Sequence, residues 1–333
     1  MSIPSMNVRD ERDDRDNRDV VICECFARDG LQHEPAVVGV EQKVRLIDAF
    51  AQAGFARVEA TSYSNPAVVP QFADASAVLE ALPRRAGVHY KATCANVRAV
   101  ERAVADAEAG FGANEISLLV SASESHSQKN LRRTRAQQWE NIAEMAQCAG
   151  ERFRVVGTIS VAFGCPFEGD VPAAEVVRDV ERYLSHGVRL ISLGDTTGMA
   201  TPRSVAALAG QLARECPEAV LIGHFHDSRG TALVNCLAAY EAGVRWFDAS
   251  FGGVGGHPAK VQYGQGYTGN ACTEDLVSLF ESMGVRTGLD LDRMMDCARE
   301  CETVLGRSLL GRVTRSGLHP RARSRAVREA VVR

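Results

Sequence analysis

The residues best suited to chemistry lie in short polar clusters, each following a β-branched run. His224-Phe225-His226-Asp227 is the sharpest. Side chains alternate along a strand, so histidines two apart face the same side and can aim both imidazoles at one ion. The same pair taken alone also fits two satisfied histidines at a strand end. Asp29, in Arg28-Asp29-Gly30 after another run, offers a carboxylate. Two imidazoles, one carboxylate and an amide oxygen suit Mg2+, Mn2+ or a similar octahedral ion better than a thiolate-loving one.

Arg28 reads either as a surface ion pair or as a fixed cation for developing enolate charge. Glu59 is a lone acid in an apolar run and needs a partner, for which Arg28 is the candidate; it reads as a brace rather than a ligand. Asp195-Thr196-Thr197 and Gly269-Asn270 are further polar endings. Gly252-Gly253-Val254-Gly255-Gly256 lacks the Lys-Ser/Thr of a P-loop. It reads as a mobile lid, or as an ordinary tight turn.

The elements that must carry these clusters alternate regularly. Strands are predicted at Val20–Cys25, Arg57–Ala60, His89–Thr93, Glu115–Val120, Arg154–Val161, Leu190–Leu193, Val220–His226 and Trp246–Ser250. Amphipathic, Ala-rich helices are predicted at Gln42–Ala53, Asn96–Ala109, Ala136–Ala149, Pro172–His186, Thr201–Arg214 and Gly230–Gly243, with another from Asp290 to about Leu305. Gly54, Gly110, Gly187 and Gly243 suit left-handed helix ends, and Pro172 and Pro202 suit first helical turns. Eight βα repeats favour a closed (β/α)8 TIM barrel with additional C-terminal helices over an open doubly wound sheet. In such barrels chemistry belongs at the C-terminal strand ends, where these clusters fall.

Bulk properties narrow the classes. The chain has 333 residues, 45% of them apolar, enough for a sizeable core. A net charge of −4 gives no basic stripe for nucleic acid. No apolar run approaches the roughly 18 residues that span a bilayer, so no membrane partner is expected. Residues 1–19 read as a charged, disordered lead-in, 20–305 as the barrel domain and 306–333 as a loose basic tail. None of the ten cysteines forms a CxxC pair, and their spacing suggests no zinc cage. Reduced, partly buried thiols and the absence of a targeting pattern point to the cytoplasm.

Taken together, several motifs resemble the hydroxymethylglutaryl-CoA lyase family of barrel metallolyases. They are Ala27-Arg28-Asp29-Gly30-Leu31-Gln32, Val58-Glu59-Ala60-Thr61-Ser62, Val69-Pro70-Gln71, Ser121-Ala122-Ser123-Glu124-Ser125 and Gly164-Cys165-Pro166-Phe167-Glu168-Gly169. Ile191-Ser192-Leu193-Gly194-Asp195-Thr196, Gly223-His224-Phe225-His226-Asp227 and Thr268-Gly269-Asn270-Ala271-Cys272-Thr273-Glu274-Asp275 follow in order. The resemblance implies a divalent cation, Mg2+ or Mn2+, held by Asp29, His224, His226 and Asn270. It makes Arg28 the stabiliser of a thioester enolate, puts Glu59 and Asp195 close by in support, and places Gln32 at the barrel mouth as a substrate contact. The implied reaction splits a 3-hydroxyacyl-CoA into acetyl-CoA and a keto acid, a step of leucine degradation.

One departure stands out. The family lid reads Gly-Gly-Cys-Pro, with a cysteine that assists proton transfer; here it is Gly255-Gly256-His257-Pro258, and the following loop is about four residues longer. Imidazole is a competent acid–base group near neutral pH, so His257 is the expected replacement. The change leaves the acyl group open, citramalyl-CoA being one alternative. A Claisen-type condensing enzyme is another, although those carry a different motif after the first strand and usually extra C-terminal domains. A non-catalytic barrel that binds no metal is the third. For the acyl-CoA phosphates, Lys129, Arg132, Arg133 and Arg135 are candidates, with a plain solvated charge run as the alternative. A homo-oligomer is compatible with all of these readings.

Overall fold

The computed structural model describes residues 18–256, 268–320 and 322. Eight strands form a closed parallel barrel in sequence order: β1 Val21–Glu24, β2 Arg57–Ser62, β3 His89–Cys94, β4 Glu115–Ser121, β5 Arg154–Ser160, β6 Leu190–Asp195, β7 Val220–Phe225 and β8 Trp246–Ala249. Closure is made by β1 lying in register beside β8, with Val21 opposite Trp246 and Cys23 opposite Asp248. The expected (β/α)8 TIM barrel is therefore present, and the open sheet is not.

A helix follows each strand: α1 Val40–Gln52, α2 Ala75–Ala81, α3 Val97–Glu108, α4 Arg135–Ala149, α5 Ala173–Ser185, α6 Pro202–Glu215, α7 Ala232–Glu241 and α8 Thr273–Met283. A further helix, α9 Leu291–Leu305, packs beside α1. Polar caps define several starts: Asn96 accepts from the Ala99 amide, and Thr134 and Thr201 form capping boxes with Gln137 and Ser204. Each such cap contributes about 1 kcal/mol. Pro202 occupies the first turn of α6 as expected, whereas Pro172 is the residue just before α5.

Strand alternation divides the core in two. One face of the strands packs on the helices, where Phe26, Phe50, Phe55 and Phe251 interlock with ring centroids 5.1–6.5 Å apart. The other face fills the lumen. Val21, Val156, Leu190, Ile222 and Trp246 plug its N-terminal end. Above that plug the lumen turns polar. Arg57 and Glu115 pair at 2.6 Å with neither exposed, and Arg57 lies over the Trp246 ring at 5.1 Å. A charge buried this deeply is tolerable only when paired and hydrogen-bonded, and the pairing supplies a fixed floor for the groups above it.

The chain beyond α9 also packs on the barrel. Leu309 is buried against Gly252, and the Asp275 carboxylate accepts from the Arg312 and Val313 amides. Among the described residues, no helix is long and apolar enough to cross a membrane.

Candidate active site

β1 does not run straight into the site. After Cys25 the backbone tightens into a π-helical turn, Phe26–Gly30, closed by Arg28 and Gly30 amides donating to the Cys25 carbonyl. This turn is what lets the adjacent residues Arg28 and Asp29 both reach the barrel mouth, since neighbours in a regular strand would diverge. Arg28 Nη1 donates to Asp29 Oδ1 at 2.9 Å, and its Nε lies 3.5 Å from Glu59 Oε1. Glu59 in turn accepts from Thr93 Oγ1 at 2.6 Å and lies 3.6 Å from Lys91 Nζ. The guanidinium is thus held on two sides by carboxylates.

His224 lies one residue before the end of β7 and faces the lumen, and His226 lies just past the strand on the same side. Their Nε2 atoms are 3.1 Å apart and lie 4.0 and 3.9 Å from Asp29 Oδ2. One donor atom from each of Asp29, His224 and His226 falls within 4.8 Å of the others. Asn270 arrives on a segment that bridges His226 in antiparallel fashion, and its Nδ2 donates to Asp29 Oδ2 at 2.6 Å and to the Val254 carbonyl at 3.1 Å. Gly255 permits that approach: a Cβ there would stand 2.3 Å from Asn270 Nδ2. Gly252 likewise has a left-handed φ of 62°, and a Cβ on it would strike Leu309. The described glycines of the expected lid therefore serve close packing at its base.

The electrostatics fit a cation. Burial opposes ionisation of Asp29, but Arg28, His224, His226 and the Asn270 amide outweigh it and hold its carboxyl at about 2. Burial also opposes charge on His224, yet the hydrogen bond and charge of Asp248, then the charge of Asp29, raise its pKa. A site that makes an acid stronger and an imidazole more basic favours added positive charge. Asn270 Oδ1 is buried and accepts no hydrogen bond among the described residues, as an oxygen awaiting a cation would. The donor set of carboxylate, two imidazoles and an amide oxygen suits a hard or borderline divalent ion.

The remaining expected residues are placed as follows. Gln32 is buried beside the mouth, its amide 3.0 Å from His33 Nε2. Asp195 ends β6 but shares the helix-facing side with Ile191 and Leu193, while Ser192, Gly194 and Thr196 line the cavity. Its Oδ1 accepts from the Met199 and Ala200 amides, and burial pushes its pKa up to about 7. Lys129 and Arg132 are exposed at the rim on either side of Asn130, which lines the cavity; Lys129 Nζ sits 3.6 Å over the Phe167 ring. Arg135, by contrast, is tied to Asp179 at 2.6 Å and Glu175 at 3.0 Å. His257 lies outside the described residues.

Two groups escaped the sequence reading. Asp248 Oδ2 stands 3.2 Å from His224 Nδ1, which fixes that ring with Nε2 toward the mouth. Lys91 lies 3.9 Å from the same carboxylate and 3.6 Å from Glu59. Each was visible as an isolated charge in an apolar strand, as Glu59 was. Arg28, Asp29, Glu59, Lys91, His224, His226 and Asp248 line one cavity of about 70 Å³.

Comparison with known proteins agrees with this geometry. The HMGL-like family matches residues 19–300. The chain belongs to the HMGL-like family. A hydroxymethylglutaryl-CoA lyase of Bacillus subtilis is 36% identical over 298 residues, 89% of this chain and 96% of that protein. The mitochondrial hydroxymethylglutaryl-CoA lyase of Gallus gallus is 38% identical, covering 83% of this chain and 90% of its own length. An HMG-CoA lyase structure from Acinetobacter baumannii, in complex with coenzyme A and 3-methylmalate, superposes with a TM-score of 0.83 at 38% identity over 90% of this chain and 97% of that one. Carbon–carbon lyase is the activity class these relatives share, and it is the class of this chain.

Proposed function

We propose that this HMGL-like lyase cleaves the C2–C3 bond of a 3-hydroxyacyl-CoA of the hydroxymethylglutaryl type, releasing acetyl-CoA and a keto acid. The observation that carries the reading is the convergence of Asp29, His224 and His226 within 4.8 Å, beside the half-buried Arg28. We further propose that Asp29, His224, His226 and Asn270 hold a divalent ion, Mg2+ or Mn2+. Such an ion supplies Lewis acidity that makes a substrate hydroxyl easier to deprotonate.

The protein's own groups do the rest. Asp248 holds His224 through Nδ1 and so keeps Nε2 facing the substrate. A base takes the hydroxyl proton, the oxygen's electron pair closes the keto group as the C2–C3 bond breaks, and that bond's pair becomes the enolate of the acetyl thioester. Arg28 is positioned to stabilise that charge, and it needs no rearrangement because Asp29 and Glu59 already fix it. Lys91 lies 3.6 Å from the Glu59 carboxylate and 3.9 Å from that of Asp248 and balances their charge. Gln32 contacts the acyl group, and Asp195 holds the turn after β6 through the Met199 and Ala200 amides. Lys129 and Arg132 at the rim meet the phosphates of coenzyme A. His257 returns a proton to the enolate carbon. The ten free thiols support a reducing, cytoplasmic setting.

The test is chelation with paired variants. Acetyl-CoA release should stop with chelator and return with Mg2+ or Mn2+. Asp29→Ala and His226→Ala should bind neither ion while retaining the barrel's circular dichroism. Full activity in rigorously metal-free protein would overturn the reading. A second substrate, citramalyl-CoA, is favoured by one feature, the histidine at position 257 in place of the family's lid cysteine.

A further inference from the structure

Below the Asp29 cluster lies a second convergence of donor atoms. Cys23 lies within β1 and Cys25 directly follows it, two residues on, so both thiols enter the lumen. Glu24 between them points the other way, accepting from the Phe26 and Phe251 amides and from Thr273 Oγ1. Because β8 closes the barrel against β1, Asp248 stands in register with Cys23. The two sulfurs are 3.9 Å apart, and one donor atom from each of Cys23, Cys25 and Asp248 lies within 4.8 Å of the others. Both cysteines are fully buried and Asp248 is 2% exposed.

We propose that Cys23, Cys25 and Asp248 form a second cation site, selective for a thiophilic divalent ion such as Zn2+ or Cd2+. Geometry supports it first. With metal–sulfur bonds of about 2.3 Å, the edge of a tetrahedron between two thiolates is about 3.8 Å, so the sulfurs already stand at the required separation. The carboxylate has capacity to spare: Asp248 Oδ1 accepts no hydrogen bond among the described residues and faces Arg57 Nη1 at 3.7 Å. Charge conservation supports it second. Loading exchanges two thiol protons for one divalent ion, so two thiols and a carboxylate become two thiolates, a carboxylate and the ion at the same net charge. Lys91 and Arg57 therefore feel no added repulsion to first order. Entry is short, since Asp248 and Lys91 line the cavity at the barrel mouth.

The site shares Asp248 with His224. An ion on this carboxylate draws its charge away from the His224 ring, so occupation should inhibit the proposed cleavage without displacing Mg2+. This inhibitory arm rests on the lyase reading; the binding arm does not.

The full-length, Mg2+-supplemented protein would be titrated with Cd2+ while ultraviolet thiolate-to-Cd2+ charge-transfer absorption and acetyl-CoA release are followed together. A band saturating at about one ion per chain is expected, with activity falling in parallel and unrestored by excess Mg2+. Cys25→Ser and, separately, Cys23→Ser should remove the band and the inhibition while keeping the Mg2+-supported rate. Cys297→Ser, altering a thiol elsewhere, should retain both. Cys25 lies outside the regular strand, so Cys25→Ser remains decisive if Cys23→Ser fails to fold. A band that persists in Cys25→Ser overturns the proposal. So does inhibition without a band that Mg2+ relieves, which places Cd2+ on the Asp29 cluster. A band without inhibition at one ion per chain keeps the site but overturns its coupling to His224.

Discussion

Replacing Arg28 by methionine isolates the charge at the reacting carbon. The side chain is 12% exposed and makes two ionic contacts, to Asp29 at 2.9 Å and to Glu59 at 3.5 Å. Its loss need not collapse the site, because neither carboxylate is left alone. Asp29 keeps the Asn270 amide at 2.6 Å, and Glu59 keeps Thr93 at 2.6 Å and Lys91 at 3.6 Å. The stability cost should therefore stay below the roughly 3–5 kcal/mol typical of an orphaned buried charge. Catalysis should suffer more. Removing one preorganised group from a developing oxyanion costs about 2.7–4 kcal/mol, a factor of about 10²–10³ in kcat. KM should change little, since enolate charge exists only after bond cleavage begins. Arg28→Lys should recover only part of the loss, because an ammonium cannot span Asp29 and Glu59 as the guanidinium does. The assay is steady-state acetyl-CoA release with a melting curve on each variant. A rise in KM with kcat within about threefold of the parent would refute the reasoning and leave Arg28 as a substrate-binding group.

Three further outcomes follow from other parts of the lumen and mouth. Glu115→Ala leaves the fully buried Arg57 with Asp248, at 3.7 Å, as its one carboxylate among the described residues and should cost about 3–5 kcal/mol in urea unfolding; a loss below about 1 kcal/mol would contradict the importance of the buried pair. Burial raises the Glu24 pKa to about 8, above its ordinary 4.5, so the folded protein keeps a proton that the unfolded chain releases, and this group's contribution to stability falls as pH rises from about 4.5 to 8. Glu24→Gln should therefore match the parent's melting temperature near pH 4.5 and exceed it by several degrees above pH 8; a gap independent of pH would refute the assignment. His257→Ala should remove a limb of the pH–rate profile within about two units of 6.5, and thiol-alkylating reagents should inhibit the parent only weakly; an unchanged profile would deny His257 an acid–base role.

Much of the fold was legible because a parallel barrel writes itself as repeated short apolar runs. The bounds of β3, predicted at His89–Thr93 and found at His89–Cys94, differ by one residue. The helices α2 and α8 were not named, α2 because seven residues give too little periodicity and α8 because Thr273–Met283 is buried on most sides. Within the site, His224 and His226 were readable from strand alternation, and the Arg28–Glu59 contact from the need of a buried acid for a partner. Asp248 and Lys91 were not picked out, since their meaning depends on which strands become neighbours when β8 closes on β1. The pairing of Cys23 and Cys25 with Asp248 was hidden for the same reason: spacing rules search along the chain, whereas this set spans the closure. The π-helical turn that aims Arg28 and Asp29 together leaves no periodic signature in five residues.

The proposed reaction is cleavage of a 3-hydroxyacyl-CoA at this mouth by a metal-supported route ending in a thioester enolate. It is tested most directly by offering the Mg2+-loaded protein a panel of branched 3-hydroxyacyl-CoA thioesters, hydroxymethylglutaryl-CoA and citramalyl-CoA among them, and measuring acetyl-CoA. Stoichiometric acetyl-CoA and keto acid are expected from at least one member, with release lost in Asp29→Ala. Absence of acetyl-CoA from every thioester in the panel, or its release by Asp29→Ala at the parent's rate, would contradict the proposed reaction.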